Sequence, residues 1–367
     1  MTILFKHSLK TKYSGHSKTE KQIRYMKGFL YLVIIVSLAS CQSKIEKVER
    51  AFYYWKSDDW NLSDKEQQIC DDLDVQKLYI KFFEVDYNEE MGGFPISKTR
   101  LGSWQIKNLD LKYVVPTVYL RNEVFLKLSK NELDILADNV NFLINKYKTE
   151  EFKDETITEF QMDCDWTPKT KDNYFYFLQK LKSISGKQIS CTLRLYPYKY
   201  REKMGVPPVD RVTLMCYNLL SPLENSNKNS ILDLSELKSY LKDVRQYPKH
   251  VDIALPIYSW AQVYHDERFS AVLYTDTKQL KTILKQEKPL WYTVLQDTVV
   301  NNTFLRVGDN IKYEEIDDAK IKGAITLLKQ YIEFDKYTTV TLFHLDELQF
   351  KNFTNEELSA FYTDFSL

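Results

Sequence analysis

The acidic residues with the most chemical potential lie in Thr158-Glu159-Phe160-Gln161-Met162-Asp163-Cys164-Asp165-Trp166-Thr167-Pro168. Side chains of a strand alternate between faces, so Glu159, Gln161, Asp163 and Asp165 share one face, and Phe160, Met162, Cys164 and Trp166 the other. Two carboxylates two residues apart on a strand have Cα atoms about 6–7 Å apart. At that range one charge raises the other's pKa, and one group can stay protonated. Acid–base or electrostatic work on a substrate uses such an arrangement. Asp163 and Asp165 are the candidate catalytic carboxylates, with Gln161 a candidate ligand to substrate.

The same alternation applied to neighbouring segments supplies partners. In Cys191-Thr-Leu-Arg-Leu, Thr192, Arg194 and Tyr196 share a face, and Arg194 could neutralise Asp163 or bind a substrate oxygen; a buried Arg–Asp pair that only holds the fold together reads the same way. Tyr217-Asn218 ends another segment, with Tyr217 a candidate hydrogen-bond donor in catalysis and Asn218 a candidate ligand. Trp260, after Pro256-Ile-Tyr-Ser, could stack on a sugar ring or merely close the core. Lys81 interrupts the apolar run Leu78-Tyr-Ile-Lys-Phe-Phe, either as an inward partner of the acids or as a snorkelling edge residue. Simple alternation puts Glu84 and Asp86 on the face opposite Lys81, with Asp86 a weak candidate for a further acid. Asp210-Arg211 reads as structural. His344, near Asp346, reads as an ordinary satisfied hydrogen-bonder. No zinc or calcium ligand set and no Gly-x-Ser-x-Gly elbow is present, so neither metal nor cofactor is expected.

These residues need a scaffold that gathers strand ends. Strand-like segments fall at Ala51–Lys56, Lys77–Asp86, Tyr113–Leu120, Thr156–Trp166, Gln188–Tyr196, Arg211–Tyr217, Val251–Tyr258 and Thr338–His344. Helical periodicity marks Glu132–Tyr147, Tyr174–Ile184, Leu232–Val244 and Asp317–Ile332. Eight strands alternating with helices predict a (β/α)8 TIM-like barrel over residues 51–350, with 351–367 a C-terminal tail. Residues 266–316 read as a β-rich insertion after the seventh strand. The rival is an open doubly wound sheet, but nine glycines in the chain leave no Gly-rich nucleotide-binding turn. In the barrel the acidic face points inward, and Asp163 and Asp165 meet the mouth at the C-terminal strand ends.

Equal numbers of basic and acidic residues, 51 each, give no basic surface for nucleic acid. Aromatics make up 14% of the chain, which suits a sugar-facing cleft and equally a large ordinary core. Cys70, Cys164, Cys191 and Cys216 have no Cys-x-x-Cys spacing and read as buried thiols, with two disulfides the alternative.

Asp163-Cys-Asp165-Trp166-Thr167-Pro168 resembles the Asp-x-Asp-Trp-Glu motif on the fourth strand of chitinase-type glycoside hydrolases, which are TIM barrels. The resemblance covers about eight residues and the strand layout. It implies a sugar-binding mouth around Asp163 and Asp165, but the family's catalytic Glu falls on Thr167 and its first Asp on Phe160, so the family's proton donor is missing. The Met215-x-Tyr217 strand end is similar to that family's sixth strand, where the Tyr assists the reaction. A wider resemblance joins Gln161-Met-Asp-Cys-Asp-Trp-Thr, Gly205-Val-Pro-Pro-Val-Asp-Arg, Leu214-Met-Cys-Tyr-Asn and Ala254-Leu-Pro-Ile-Tyr-Ser-Trp to a family of exported bacterial barrel proteins without assigned activity.

The N-terminal region reads as an export signal. Met26-Lys27 is followed by an apolar run through Leu38 and then Leu38-Ala-Ser-Cys41, a layout that resembles the bacterial lipoprotein signal, with cleavage before Cys41 and acylation of its thiol. The run is shorter than the roughly 20 residues of a membrane span. Residues 1–25 are basic and mostly polar, which places the expected start at Met26, and 41–50 read as a tether. The expectation is a lipoprotein of the bacterial cell envelope, periplasmic or at the cell surface, anchored to the bilayer through Cys41. It is read as a glycoside hydrolase-like protein acting on an envelope or extracellular polysaccharide, or else a carbohydrate- or peptidoglycan-binding barrel that has lost catalysis. A structural subunit of an envelope assembly is a third reading.

Overall fold

The computed structural model describes residues 45–56, 62–153, 155–224, 227–274 and 280–366; Cys41 and the proposed export signal lie outside them. Eight parallel strands form the centre: β1 (Lys47–Tyr54), β2 (Lys77–Asn88), β4 (Tyr113–Leu120), β5 (Glu159–Asp163), β6 (Gln188–Arg194), β7 (Arg211–Met215), β8 (His250–Pro256) and β16 (Tyr337–Phe343). Because β1 pairs in parallel with both β2 and β16, the sheet closes on itself. A short strand, β3 (Gly92–Ile96), folds back antiparallel on the outer end of β2. The expected TIM-like barrel is therefore the fold, and all eight sequence-read strands take part.

The helices form for local reasons. Lys130–Glu151 starts at Ser129, whose amide and hydroxyl both donate to the Glu132 carboxylate, and buries Leu133, Leu136, Val140 and Ile144 at helical spacing. Lys171–Ser185 buries Tyr174, Phe177, Leu178 and Leu181, and ends at Gly186, whose φ of 63° suits a residue without Cβ. The outward strand faces meet these helices: Trp166 stacks on Tyr174 and donates to the Met204 carbonyl.

Three sequence-drawn bounds change. β1 begins at Lys47, so the last residues assigned to a tether are strand, paired with Tyr337 onward. The C-terminal segment is not a tail. Asn355–Thr363 is a helix capped by Thr354, and its Tyr362 hydroxyl donates to the Ala51 carbonyl. Leu358, Phe361, Tyr362 and Phe365 recur at helical spacing behind the Thr354–Glu357 capping box, a signal that the reading of a tail passed over. The insertion begins at Trp260, six residues early by the sequence bound of 266. There β9 (Trp260–His265), β10 (Arg268–Leu273), β11 (Leu284–Lys288), β12 (Trp291–Val294) and β15 (Asn310–Glu314) form an antiparallel sheet, accompanied by the hairpin β13 (Thr298–Val300) and β14 (Thr303–Leu305). It has its own core around Ala261, Val263, Val294 and Ile311. The strand expected over Val251–Tyr258 ends at Pro256, and the chain enters the insertion four residues later.

Candidate functional site

At the C-terminal end of the barrel, β5 delivers Asp163 inward, in register with Tyr119 of β4. Asp163 is 7% exposed and accepts a hydrogen bond from the Thr192 hydroxyl at 2.5 Å. Burial, reinforced by the Asp165 charge, pushes its pKa up to about 6, although Thr192 and Arg194 oppose the rise. Burial next to Asp163 and Asp165 pushes the Tyr119 hydroxyl up to about 12.

Asp165 lies beyond the strand end. Its carboxylate is solvent-facing and receives both the Nε and Nη2 of Arg194, at 2.7 and 3.0 Å. The partner of Arg194 is therefore Asp165 rather than Asp163. β5 stops at Asp163 and β6 at Arg194, so both side chains lean over the rim where a bidentate fit is possible.

Lys81 points inward, as one of its two readings had it, but its partner corrects the alternation. The Lys81 ammonium contacts the Glu84 carboxylate at 2.7 Å, and Arg121 contacts Asp86 at 3.0 Å and Glu84 at 3.9 Å. The cause is a β-bulge: Lys81 pairs with Thr117 and Phe83 with Val118, leaving Phe82 as an extra residue. Phe82 and Phe83 both pack outward on Tyr147, and Glu84 is thrown onto the Lys81 face. Glu84 is thereby in register with Tyr119 and, one strand further, with Asp163.

Aromatic rings pave this end. Phe343, at the end of β16, lies 5.0–5.9 Å from Tyr53, Trp55, Tyr217 and Tyr258, centroid to centroid. The run continues from Tyr258 to Trp260 at 5.6 Å and from Trp260 to Tyr274 at 6.4 Å. Tyr217 is 2% exposed and forms part of this floor. Asn218, with φ of 53°, is exposed and accepts from the Tyr258 hydroxyl at 2.6 Å. The half-buried Trp260 donates its indole N–H to Glu314 at 2.5 Å. The substrate-ligand reading of Gln161 fails: it is 0% exposed, and it links the Tyr53 hydroxyl to Thr213 deep in the barrel. A polar side chain on the inner face of a barrel strand serves the interior unless it lies at the last turn, and Gln161 lies two residues too early.

Sequence reasoning missed Tyr53, Trp55, Tyr119 and Phe343. The alternation that located Asp163 finds Tyr119, Tyr53 and Phe343 when carried to the third, first and eighth strands. His344 is not the satisfied residue expected, because its buried Nδ1 has no hydrogen-bond partner among the described residues. Burial drives its pKa down to about 4 against the pull of Asp346, so the ring is neutral near pH 7. Asp210 and Arg211 lie at the far end and are structural: Asp210 accepts from the Ile189 amide, and Arg211 pairs with Asp252. The four cysteines Cys70, Cys164, Cys191 and Cys216 are buried free thiols. Among the described residues no three His, Cys, Asp or Glu side chains gather as metal ligands.

At the position that the sequence resemblance gives to the chitinase acid, the Thr167 hydroxyl lies 3.2 Å from that of Thr170, the residue just before the Lys171–Ser185 helix, and the Thr167 amide donates to the same oxygen at 2.8 Å. The side chain is engaged with the helix start and carries no titrating proton.

No family model matches the sequence, and no curated protein matches it. Solved structures do resemble the fold, which is a TIM barrel of the kind found in chitinase-like glycoside hydrolases. The spore cortex-lytic enzymes SleL of Bacillus megaterium and Bacillus cereus superpose with TM-scores of 0.52 and 0.53 at 13% identity, covering 87% and 86% of this chain and 75% and 74% of theirs. The C-terminal domain of a putative chitinase from Desulfitobacterium hafniense gives 0.52 at 10% identity, over 88% of this chain and all of that domain.

Proposed function

We propose that this protein binds a glycan at the barrel mouth without hydrolysing it by the chitinase route. The observation that carries the reading is Thr167, a non-titrating residue whose hydroxyl is engaged by that of Thr170 where the acid would stand. The remaining machinery suits recognition. Half-exposed rings offer faces to sugar C–H groups, and Asp165, Arg194 and Asn218 offer hydrogen bonds at the rim. The ligand class is a polymer containing N-acetylglucosamine, peptidoglycan foremost. This is supported by likeness to enzymes described as cortex-lytic and to a Cycas revoluta class V chitinase solved with (GlcNAc)3, an argument from fold analogy. Lipidation at Cys41 would hold the mouth against envelope polymer, and Cys41→Ala is expected to release the protein from the membrane fraction.

The hydrolase reading keeps one specific support: Asp163, with its raised pKa, shares a level of the mouth with Glu84, and a pair of carboxylates is what glycoside hydrolysis requires. Against it, Glu84 is held by Lys81. Purified wild type is to be incubated with peptidoglycan and N-acetylated chito-oligosaccharides, following both binding and release of reducing ends. Binding without release is expected, with affinity falling at least tenfold in Arg194→Ala. Release of reducing ends that disappears in Glu84→Gln and Asp163→Asn would install the hydrolase reading instead.

A further inference from the structure

One carboxylate joins the insertion to the barrel mouth. Glu314 ends β15 and is fully buried. Its Oε1 accepts from the Ser230 amide at 2.8 Å and lies 2.8 Å from the Lys312 ammonium. Its Oε2 accepts from the Ser230 hydroxyl at 2.6 Å, from Gln262 at 3.1 Å and from the Trp260 indole. Three stretches of chain meet there: the loop after β7, the first strand of the insertion and its last strand. Lys312 is also fully buried and compensates the charge, reaching the Glu224 carbonyl at 3.3 Å.

Such saturation costs desolvation, and an apolar side chain would pack the same volume more cheaply. What an apolar residue cannot do is fix an indole by its N–H. Trp260 has one polar atom, and Glu314 takes it, so rotation of the ring about its side-chain torsions breaks a charge-assisted hydrogen bond. The ring is thereby held between Tyr258 and Tyr274 as the middle of the aromatic run, with its exposed part left for a ligand.

We propose that Glu314 is a positioning residue that fixes Trp260 as the stacking platform of the cleft wall. The sugar-stacking role of Trp260 rests on the glycan-binding reading above, whereas the fixing of the indole does not. Preorganising a ring in this way removes an ordering cost from each binding event.

The test uses the full chain with 15N-labelled indoles and N-acetylated chitotetraose as probe. In wild type the Trp260 indole N–H, assigned by its absence in Trp260→Ala, exchanges slowly with solvent. In Glu314→Gln it shifts and exchanges at least tenfold faster, and affinity falls about tenfold. Trp260→Ala lowers affinity by a similar factor, and the double variant falls no further, since two members of one unit are not additive. Trp260→Phe keeps a ring and leaves the Glu314–Lys312–Ser230 bonds in place, so it reports even if Glu314→Gln fails to fold; it also is expected to lose several-fold in affinity. Fast indole exchange in wild type, or wild-type affinity in Trp260→Phe, overturns the positioning role. Slow exchange in wild type with no binding of the probe, or of any glycan, would sink the glycan-binding reading and the stacking role with it, while the indole result stood.

Discussion

Asp163 and Asp252 are both buried aspartates on inner faces of the same barrel, and burial alone would raise the pKa of each. Asp252, toward the base, is surrounded by donors. His250 Nε2 lies 3.1 Å away, Arg211 3.2 Å and the Thr339 amide 2.7 Å. These outweigh burial and hold its carboxyl below the ordinary range. Asp163, at the mouth, accepts one hydroxyl and faces a second aspartate, and its carboxyl stays above that range. One buried charge is compensated within the fold. The other is left with unmet demand, the condition in which a ligand's donors have most to gain.

The largest effect expected from breaking this contrast is at the base. Asp252→Ala leaves Arg211 and His250 facing a void and should cost about 3–5 kcal/mol in denaturant unfolding, as removal of one partner of a buried pair does. Asp163→Asn should do the reverse. Its folded pKa of about 6 exceeds the unfolded value near 3.9, so the folded state holds the proton more tightly and the contribution of Asp163 to wild-type stability falls as pH rises through that window. The neutral amide should remove that loss, worth up to about 3 kcal/mol at pH 7, so that the variant gains stability relative to wild type as pH rises from 4 to 6, and still weaken glycan binding. His344, held down to about 4, pulls the wild-type profile the other way over the same range, so the reading is the difference between variant and wild type, and a difference that stays constant across this window would contradict the assignment.

How much of this was legible in the sequence depends on where regularity held. The eight strands and the inward face of β5 came from period-two alternation, which is robust where a strand is regular; beyond the strand ends it paired Arg194 with Asp163, and Asp165 holds it instead. It failed at Phe82, where a bulge changes the phase with no residue type to announce it, and so misplaced Glu84. It also gave Gln161 a functional role, since inward polarity looks alike in mid-barrel and at the rim. The compensating partners of Asp252 come from β7, β8 and β16 and lie up to 87 residues from it in sequence.

Two smaller effects sharpen the contrast further. His250 sits between Asp252 and Asp335. Burial lowers its pKa, but the Asp252 hydrogen bond and charge outweigh this and raise it. Its contribution is complete below the unfolded value near 6.5 and fades as pH rises through the folded value. His250→Gln should therefore be destabilising at pH 5.5 and progressively closer to wild type at alkaline pH, in thermal melts across that range. The smallest effect is expected from Thr167→Ala: glycan affinity within twofold of wild type by calorimetry, since that hydroxyl faces Thr170. A collapse of affinity there would mean that the acid position still touches ligand.

The bulge in β2 makes parity a local property of that strand, with odd positions facing inward below it and even positions above. Two chains could differ by a one-residue gap at Phe82 and present the same mouth. They could also match residue for residue from Leu78 to Asp86, lack the irregularity, and present a different one. In this strand the placement of a gap in an alignment is a statement about chemistry, and a count of residues is inherited along with their identities.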